Sequence, residues 1–142
     1  MTIKIGKEFR WEMSHRLPAN PGDCKNIHGH SYKVWVEITG NTDSDGVVLD
    51  YYELEKIINP MINKLDHSFI CDAKDTLMLE FLEKNNFKLF VLDDYTTAEN
   101  IAQFLLNELS SVFRSYSNIN CLLIKLFETE NTFAEVKSSL SK

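Results

Sequence analysis

The stretch from Cys24 to Ile38 constrains this chain more than any other. It runs Cys24-Lys25-Asn26-Ile27-His28-Gly29-His30-Ser31-Tyr32 and passes straight into Val34, Val36 and Ile38 at every second position. Residues two apart in an extended strand point to the same face. The alternation therefore demands a half-buried strand from about His28 to Ile38, with both histidines on its apolar face. Two imidazoles side by side on a rigid face are half of a metal site.

Residues 3–15 alternate in the same way. Ile3, Ile5, Phe9, Trp11, Met13 and His15 share one parity, with a slip at Lys7. This predicts a first strand with His15 at its end. Leu17 to Asp23 reads as a loop broken by Pro18, Pro21 and Gly22. An antiparallel pairing of the two strands would bring His15 towards His28 and His30. Three neutral imidazoles leave a coordination position for water or substrate, which is the arrangement of a catalytic zinc.

Further along, Asn41 to Gly46 imitates a calcium loop. The pattern fails where a bidentate Glu is required, because position 52 is Tyr. A hairpin-type turn is expected there. Asp50-x-x-Glu53 resembles a capping box, and Leu54, Ile57, Ile58, Met61, Ile62 and Leu65 follow at helical spacing. Pro60 is expected to kink or split that helix near Asn59. Residues 75–84 predict a short amphipathic helix and Leu89–Val91 a short strand. Thr96-x-x-Glu99 predicts a second capping box, opening a helix with Ile101, Phe104, Leu105, Leu109 and Val112 on one side. Ile119 to Glu128 is a strong strand. Leu122, Ile124, Leu126 and Glu128 share a face, so a carboxylate ends a buried row. Such a group is costly unless paired. A ligand edge with two parallel donors would satisfy it.

The length of 142 residues and the absence of any composition break predict one domain, 1–142, of the α+β class. Long helices should cover one face of an antiparallel sheet. The net charge of −6 argues against a general nucleic-acid binder. Residues 1–40 hold six Lys/Arg against four acids, net +2, so the remainder carries −8. The histidine-bearing part thus suits an anionic small molecule. No apolar run approaches the ~20 residues needed to span a bilayer, and the first residues carry no signal-peptide core. Cys24, Cys71 and Cys121 form no C-x-x-C pair, which fits a reduced, cytoplasmic setting.

Cys24 has three readings on spacing alone: a fourth ligand closing a structural Cys-His₃ site, a thiolate base near the cation, or a buried small hydrophobe. Asp66-His67 is either a proton relay or an exposed pair at a helix end. A zinc-stabilised binding module without turnover is the rival of an enzyme.

Taken in order, Phe9…His15-Arg16-Leu17, Cys24-x-x-x-His28-Gly29-His30, Leu65-Asp66-His67, Thr97-Ala98-Glu99-Asn100 and Glu128-Thr129 resemble the 6-pyruvoyltetrahydropterin synthase / 6-carboxytetrahydropterin synthase family. The resemblance implies the tunnelling fold, a four-stranded antiparallel sheet with two long helices on one face. It implies Zn²⁺ on His15, His28 and His30, and Cys24 abstracting a proton from the substrate side chain. Asp66 and His67 would relay protons. Glu128 would anchor the pterin, with Thr97 and Glu99 beside its pocket. The implied substrate is 7,8-dihydroneopterin triphosphate. The product would be 6-carboxy-5,6,7,8-tetrahydropterin in enzymes of the queuosine pathway, or 6-pyruvoyltetrahydropterin in the animal type. The short start and the Cys24-x-x-x-His28 spacing look like the bacterial, queuosine-pathway type. A homo-oligomer, trimer or hexamer, with active sites at subunit contacts is implied too. The chain departs from the family pattern at Tyr95, over the longer stretch 68–86, and after Glu128. There Glu130 to Glu135 weaken the expectation of a further C-terminal strand.

Overall fold

In the computed structural model, which describes residues 2–140, six strands and three α-helices form one α+β arrangement. In chain order they are β1 (Thr2–His15), β2 (His28–Asn41), α1 (Tyr51–Leu65), β3 (Ser68–Asp72), α2 (Thr76–Lys84), β4 (Leu89–Leu92), α3 (Ala98–Phe113), β5 (Ile119–Thr129) and β6 (Thr132–Ser139). The sheet order is β4-β3-β1-β2-β5-β6. Pairs β1–β2, β2–β5 and β5–β6 are antiparallel, so the expected four-stranded antiparallel sheet lies inside a larger, mixed one.

The extension is a correction to that expectation. β3 and β4 run parallel to each other with α2 as their crossover, and β3 runs parallel to β1, reached through β2 and α1. Parallel neighbours require such a crossover. Ser68-Phe69-Ile70-Cys71 are all buried, and a strand buried on both faces reads as a continuous apolar run without alternation. The C-terminal strand also forms. β6 pairs with β5 from Cys121↔Ser139 to Thr129↔Thr132 despite its polar sequence, because its outward positions face solvent.

The two long helices lie on one face, α1 over β1 and β3, α3 over β5 and β6. Between them and the sheet, Phe9, Trp11, Met13, Tyr32, Val34, Val36, Ile38, Leu122, Ile124 and Leu126 are buried against Leu54, Ile58, Ile101, Leu105 and Leu109. The alternation in β1, β2 and β5 produces this layer directly.

Local chemistry sets the helix ends. Asp50 caps α1 by accepting from the Tyr52 amide at 2.7 Å, and Glu53 instead accepts from the Tyr116 hydroxyl at 3.3 Å. α1 runs unbroken through Pro60. Lys56 and Pro60 both lie on the exposed side, so the carbonyl that loses its partner there meets water. The calcium-like loop is a turn. Asp43 Oδ1 accepts from the amides of Asp45 and Val47 at 2.9 and 3.0 Å. It leads β2 into α1, so the expected hairpin does not form.

Arg16, next to His15, grips Asp75 with two bonds of 2.7 and 2.6 Å. Asp75 is 8% exposed and caps α2. This pair ties the end of β1 to the β3-α2-β4 unit. The guanidinium holds the Asp75 carboxyl below the usual range. Its contribution is therefore full above the ordinary aspartate pKa of about 4 and is lost as pH falls through the lower native value. Arg16→Ala should cost about 3 kcal/mol at neutral pH, because it strands a buried carboxylate. Urea unfolding at pH 7 and pH 3 measures this, and the gap between the two chains should narrow at pH 3.

Candidate metal centre

The pairing of β1 with β2 sets His15 opposite His28 and Met13 opposite His30. The three imidazoles gather on the helix-facing side of the sheet, with ring centroids 4.7, 5.2 and 5.0 Å apart. Each offers one ring nitrogen, and these atoms lie within 4.8 Å of one another. Among the described residues, this is the group of His, Cys, Asp and Glu side chains able to hold a metal ion.

The tautomers follow from the neighbours. His15 Nδ1 lies 2.8 Å from the Thr96 carbonyl oxygen and His28 Nδ1 lies 2.7 Å from that of Asn26. A carbonyl only accepts, so each Nδ1 carries the proton and each Nε2 presents a lone pair. His15 Nε2 and His30 Nε2 are buried without a hydrogen-bond partner. Two orphaned buried nitrogens are a cost unless something shared sits between them. A divalent cation fits that donor set, and backbone carbonyls holding the far nitrogens are what orient ligating imidazoles.

Protonation points the same way. Burial lowers the His15 pKa to about 4, with Thr96 opposing, and burial lowers that of His30 too. Neither has a proton to shed at neutral pH before taking up a cation. In the metal-free protein this has a sign. Unfolded His15 protonates near 6.5 while the native ring stays neutral to about 4. Native stability should then be full above pH 6.5 and fall by about 1.4 kcal/mol per pH unit down to 4. Urea unfolding of the metal-free protein, compared with His15→Gln, checks this slope.

Cys24 stands half-buried in a single 3-10 turn, Asp23–Lys25, and its carbonyl oxygen accepts from the Leu17 amide at 2.7 Å. Its thiol is not among the converging atoms. The four-ligand Cys-His₃ arrangement is therefore not formed here.

Glu128 ends the buried row of β5. The β2–β5 register, continued one step beyond Lys33↔Phe127, sets it beside Tyr32. Its Oε1 lies 3.0 Å from His30 Nε2 and 3.9 Å from His15 Nε2. Burial raises its pKa, with His28 opposing and Glu99 adding. Glu128 and Glu99 share a cavity of about 380 Å³ with Ala98, Phe133 and Ala134. The expected capping box at Thr96 does not form. Thr97 is the cap of α3, its hydroxyl accepting from the Asn100 amide at 3.2 Å. Thr96 is buried and serves His15 instead. Glu99, freed of a capping role, faces the cavity.

Asp66 and His67 pair at 3.0 Å between His67 Nδ1 and Asp66 Oδ1. Asp66 also accepts from the Glu12 amide, which with His67 holds its pKa down. His67 has a φ of 60° and is three-quarters exposed. It shares a recess with Glu12, Ser14, His30 and Ser31, of which Glu12, Ser14 and Ser31 hold strand positions that point away from the helices. Cys24 does not line this recess. Sequence reasoning missed Thr96 and Asn26. The Asn26 carbonyl lies two residues before His28, but Thr96 is 81 positions from His15 and only the fold joins them.

Fold and site together define an α+β protein with a three-histidine cluster able to hold a metal ion beside a cavity of about 380 Å³. The family described as 6-pyruvoyl tetrahydropterin synthase matches residues 4–139, and the chain belongs to that family. The 6-carboxy-5,6,7,8-tetrahydropterin synthase of Haemophilus influenzae is 36% identical over 141 residues, covering 94% of this chain and 97% of the relative. That of Rickettsia conorii is 31% identical over 137 residues, covering 94% and 99%. Among solved structures, Plasmodium vivax 6-pyruvoyltetrahydropterin synthase superposes with a TM-score of 0.79 at 19% identity, covering 98% of this chain and 99% of that one. At that identity the likeness speaks for the fold. Relatives named as tetrahydropterin synthases support an enzyme. No helix among the described residues is long and apolar enough to cross a membrane.

Proposed function

We propose that this single-domain chain is a zinc-dependent lyase acting in the cytoplasm. It converts 7,8-dihydroneopterin triphosphate to 6-carboxy-5,6,7,8-tetrahydropterin, with release of acetaldehyde and triphosphate, as a step towards queuosine. The observation that carries this reading is the convergence of three imidazoles with the Cys24 thiol left outside them. The names of the most similar relatives support the carboxy product.

His15, His28 and His30 hold the cation. When bound, it draws charge from the substrate's side-chain hydroxyls and acidifies the neighbouring C–H. The other roles fall to the chain's own residues. Cys24 takes that proton. Glu128 accepts two parallel hydrogen bonds from the pterin's 2-amino and N3 edge, which compensates its burial. Glu99 and the Thr97 segment border the same cavity. Asp66 and His67 relay protons to and from the thiol. Because Cys24 does not line the recess that holds His67, the pair serves a Cys24 from a second copy. The active site is then completed across a subunit contact in a trimer or hexamer.

The test is mass spectrometry of the purified protein's products from 7,8-dihydroneopterin triphosphate. This reading expects the carboxy product and one acetaldehyde per turnover. A pyruvoyl product with no acetaldehyde would assign the animal-type reaction instead. No turnover with zinc bound would leave a binding module.

A further inference from the structure

The thiol of Cys24 sits on a segment that the core does not hold. Pro18, Ala19, residues 21–23 and residues 25–27 are all exposed. Most bonds of this loop are internal. The Leu17 amide donates to the Cys24 carbonyl at 2.7 Å and closes it, and the Asn20 amide turns back to the Leu17 carbonyl at 2.9 Å. The Gly22 amide donates to Asn20 Oδ1 at 2.7 Å. Among the described residues, one hydrogen bond ties residues 18–27 to anything beyond the loop and the strand ends that flank it. The Ala19 amide donates to the Tyr95 hydroxyl at 2.8 Å.

Tyr95 is a firm post for that bond. It is half-buried between β4 and α3. Its carbonyl accepts from the Thr97 amide at 2.9 Å and from the Asn100 side-chain amide at 2.8 Å. Its own amide donates to Asp94 Oδ1 at 3.0 Å. The next residue, Thr96, presents its carbonyl to His15 Nδ1 at 2.8 Å. One short stretch thus touches both the loop that carries the thiol and one of the three imidazoles.

We propose that Tyr95 is a positioning residue whose hydroxyl holds the Cys24 loop in register with the three-histidine cluster. This rests on the role given to Cys24 above. A surface loop with few buried contacts and local bonds opens at low cost. A reacting group displaced by 1 Å can lose about a hundredfold in rate. Pinning Ala19 restrains the outgoing limb, and the Leu17–Cys24 closure passes that restraint to the limb that returns. The hydroxyl acts through the loop and not on the substrate.

The test compares wild type, Y95F and Y95L as full chains loaded with zinc. Y95F keeps the ring and removes the acceptor. Its kcat with 7,8-dihydroneopterin triphosphate should fall about tenfold, less than a full misplacement costs, while KM and zinc content stay as in wild type. Iodoacetamide, a neutral reagent, reports on the loop without turnover. Peptide mass spectrometry should show Cys24 alkylated about threefold faster in Y95F, the scale of one lost hydrogen bond. Cys71 and Cys121 should react as in wild type. Y95L should show changes at least as large at Cys24 and in kcat. Y95F equal to wild type in both readouts would overturn the inference. A loss confined to Y95L would overturn it too, since the packing of the ring would then be what matters. Equal acceleration at all three cysteines would do the same, because the whole fold would have loosened. Absence of turnover in wild type would refute the proposed function alone, and the Cys24 alkylation rate would still decide the part played by Tyr95.

Discussion

Cys24→Ala should lower kcat by roughly a thousandfold, the scale of removing a positioned general base, while one cation per chain stays bound. Two observations set this expectation. The thiol is outside the converging donor set. The turn that carries it is held by its backbone, through the Cys24 carbonyl and the Leu17 amide, so loss of the side chain leaves the turn intact. Metal analysis and steady-state kinetics on the same sample decide it. A chain that loses cation and fold together would show Cys24 to be a structural ligand, because the free energy of metal binding would then be folding free energy.

His67→Ala should be as inactive as Cys24→Ala when each is assayed alone, and active when the two are mixed and allowed to exchange subunits. The geometry behind this is the separation of His67 from Cys24 within one chain. His67 shares its recess with Glu12, Ser14, His30 and Ser31, and Cys24 does not line it. If each site takes its thiol from one copy and its Asp-His pair from another, random mixing restores about one quarter of the sites, since both contributors must be intact. Activity of the refolded mixture is the measurement. A mixture no more active than its parts would place the relay within one chain, or remove His67 from the reaction. The double variant Cys24→Ala/His67→Ala mixed with Cys24→Ala should stay inactive, which controls for carry-over.

The parts of the fold legible in the sequence were those governed by period. The alternation of Phe9 to His15 and of His28 to Ile38 fixed two strands and their buried face, and the face brought three histidines together once the strands paired. Parts without a period were not legible. Ser68 to Cys71 are buried on both sides, and such a run has the same composition as a stretch of buried helix. α2 and β4 then followed it into a parallel extension that no antiparallel expectation contains. Pro60 suggested a break that solvent exposure made unnecessary. At α3, two adjacent threonines competed for one capping role. Thr97 took it because Thr96 is buried and presents its carbonyl to His15. That single exchange moved Glu99 from cap partner to cavity wall. The contact between Glu128 and His30 had no signal in spacing at all, since 98 residues separate them and only the β2–β5 register sets them together.

Everything proposed for the chemistry depends on three imidazoles sharing one cation that the reaction requires. Zinc titration of metal-stripped protein, followed by calorimetry and by turnover of 7,8-dihydroneopterin triphosphate in the same tubes, tests this most directly. Binding should saturate at one Zn²⁺ per chain and activity should rise in step with occupancy, with His28→Ala showing neither. Full turnover by the stripped protein, or occupancy unchanged in His28→Ala, would contradict it.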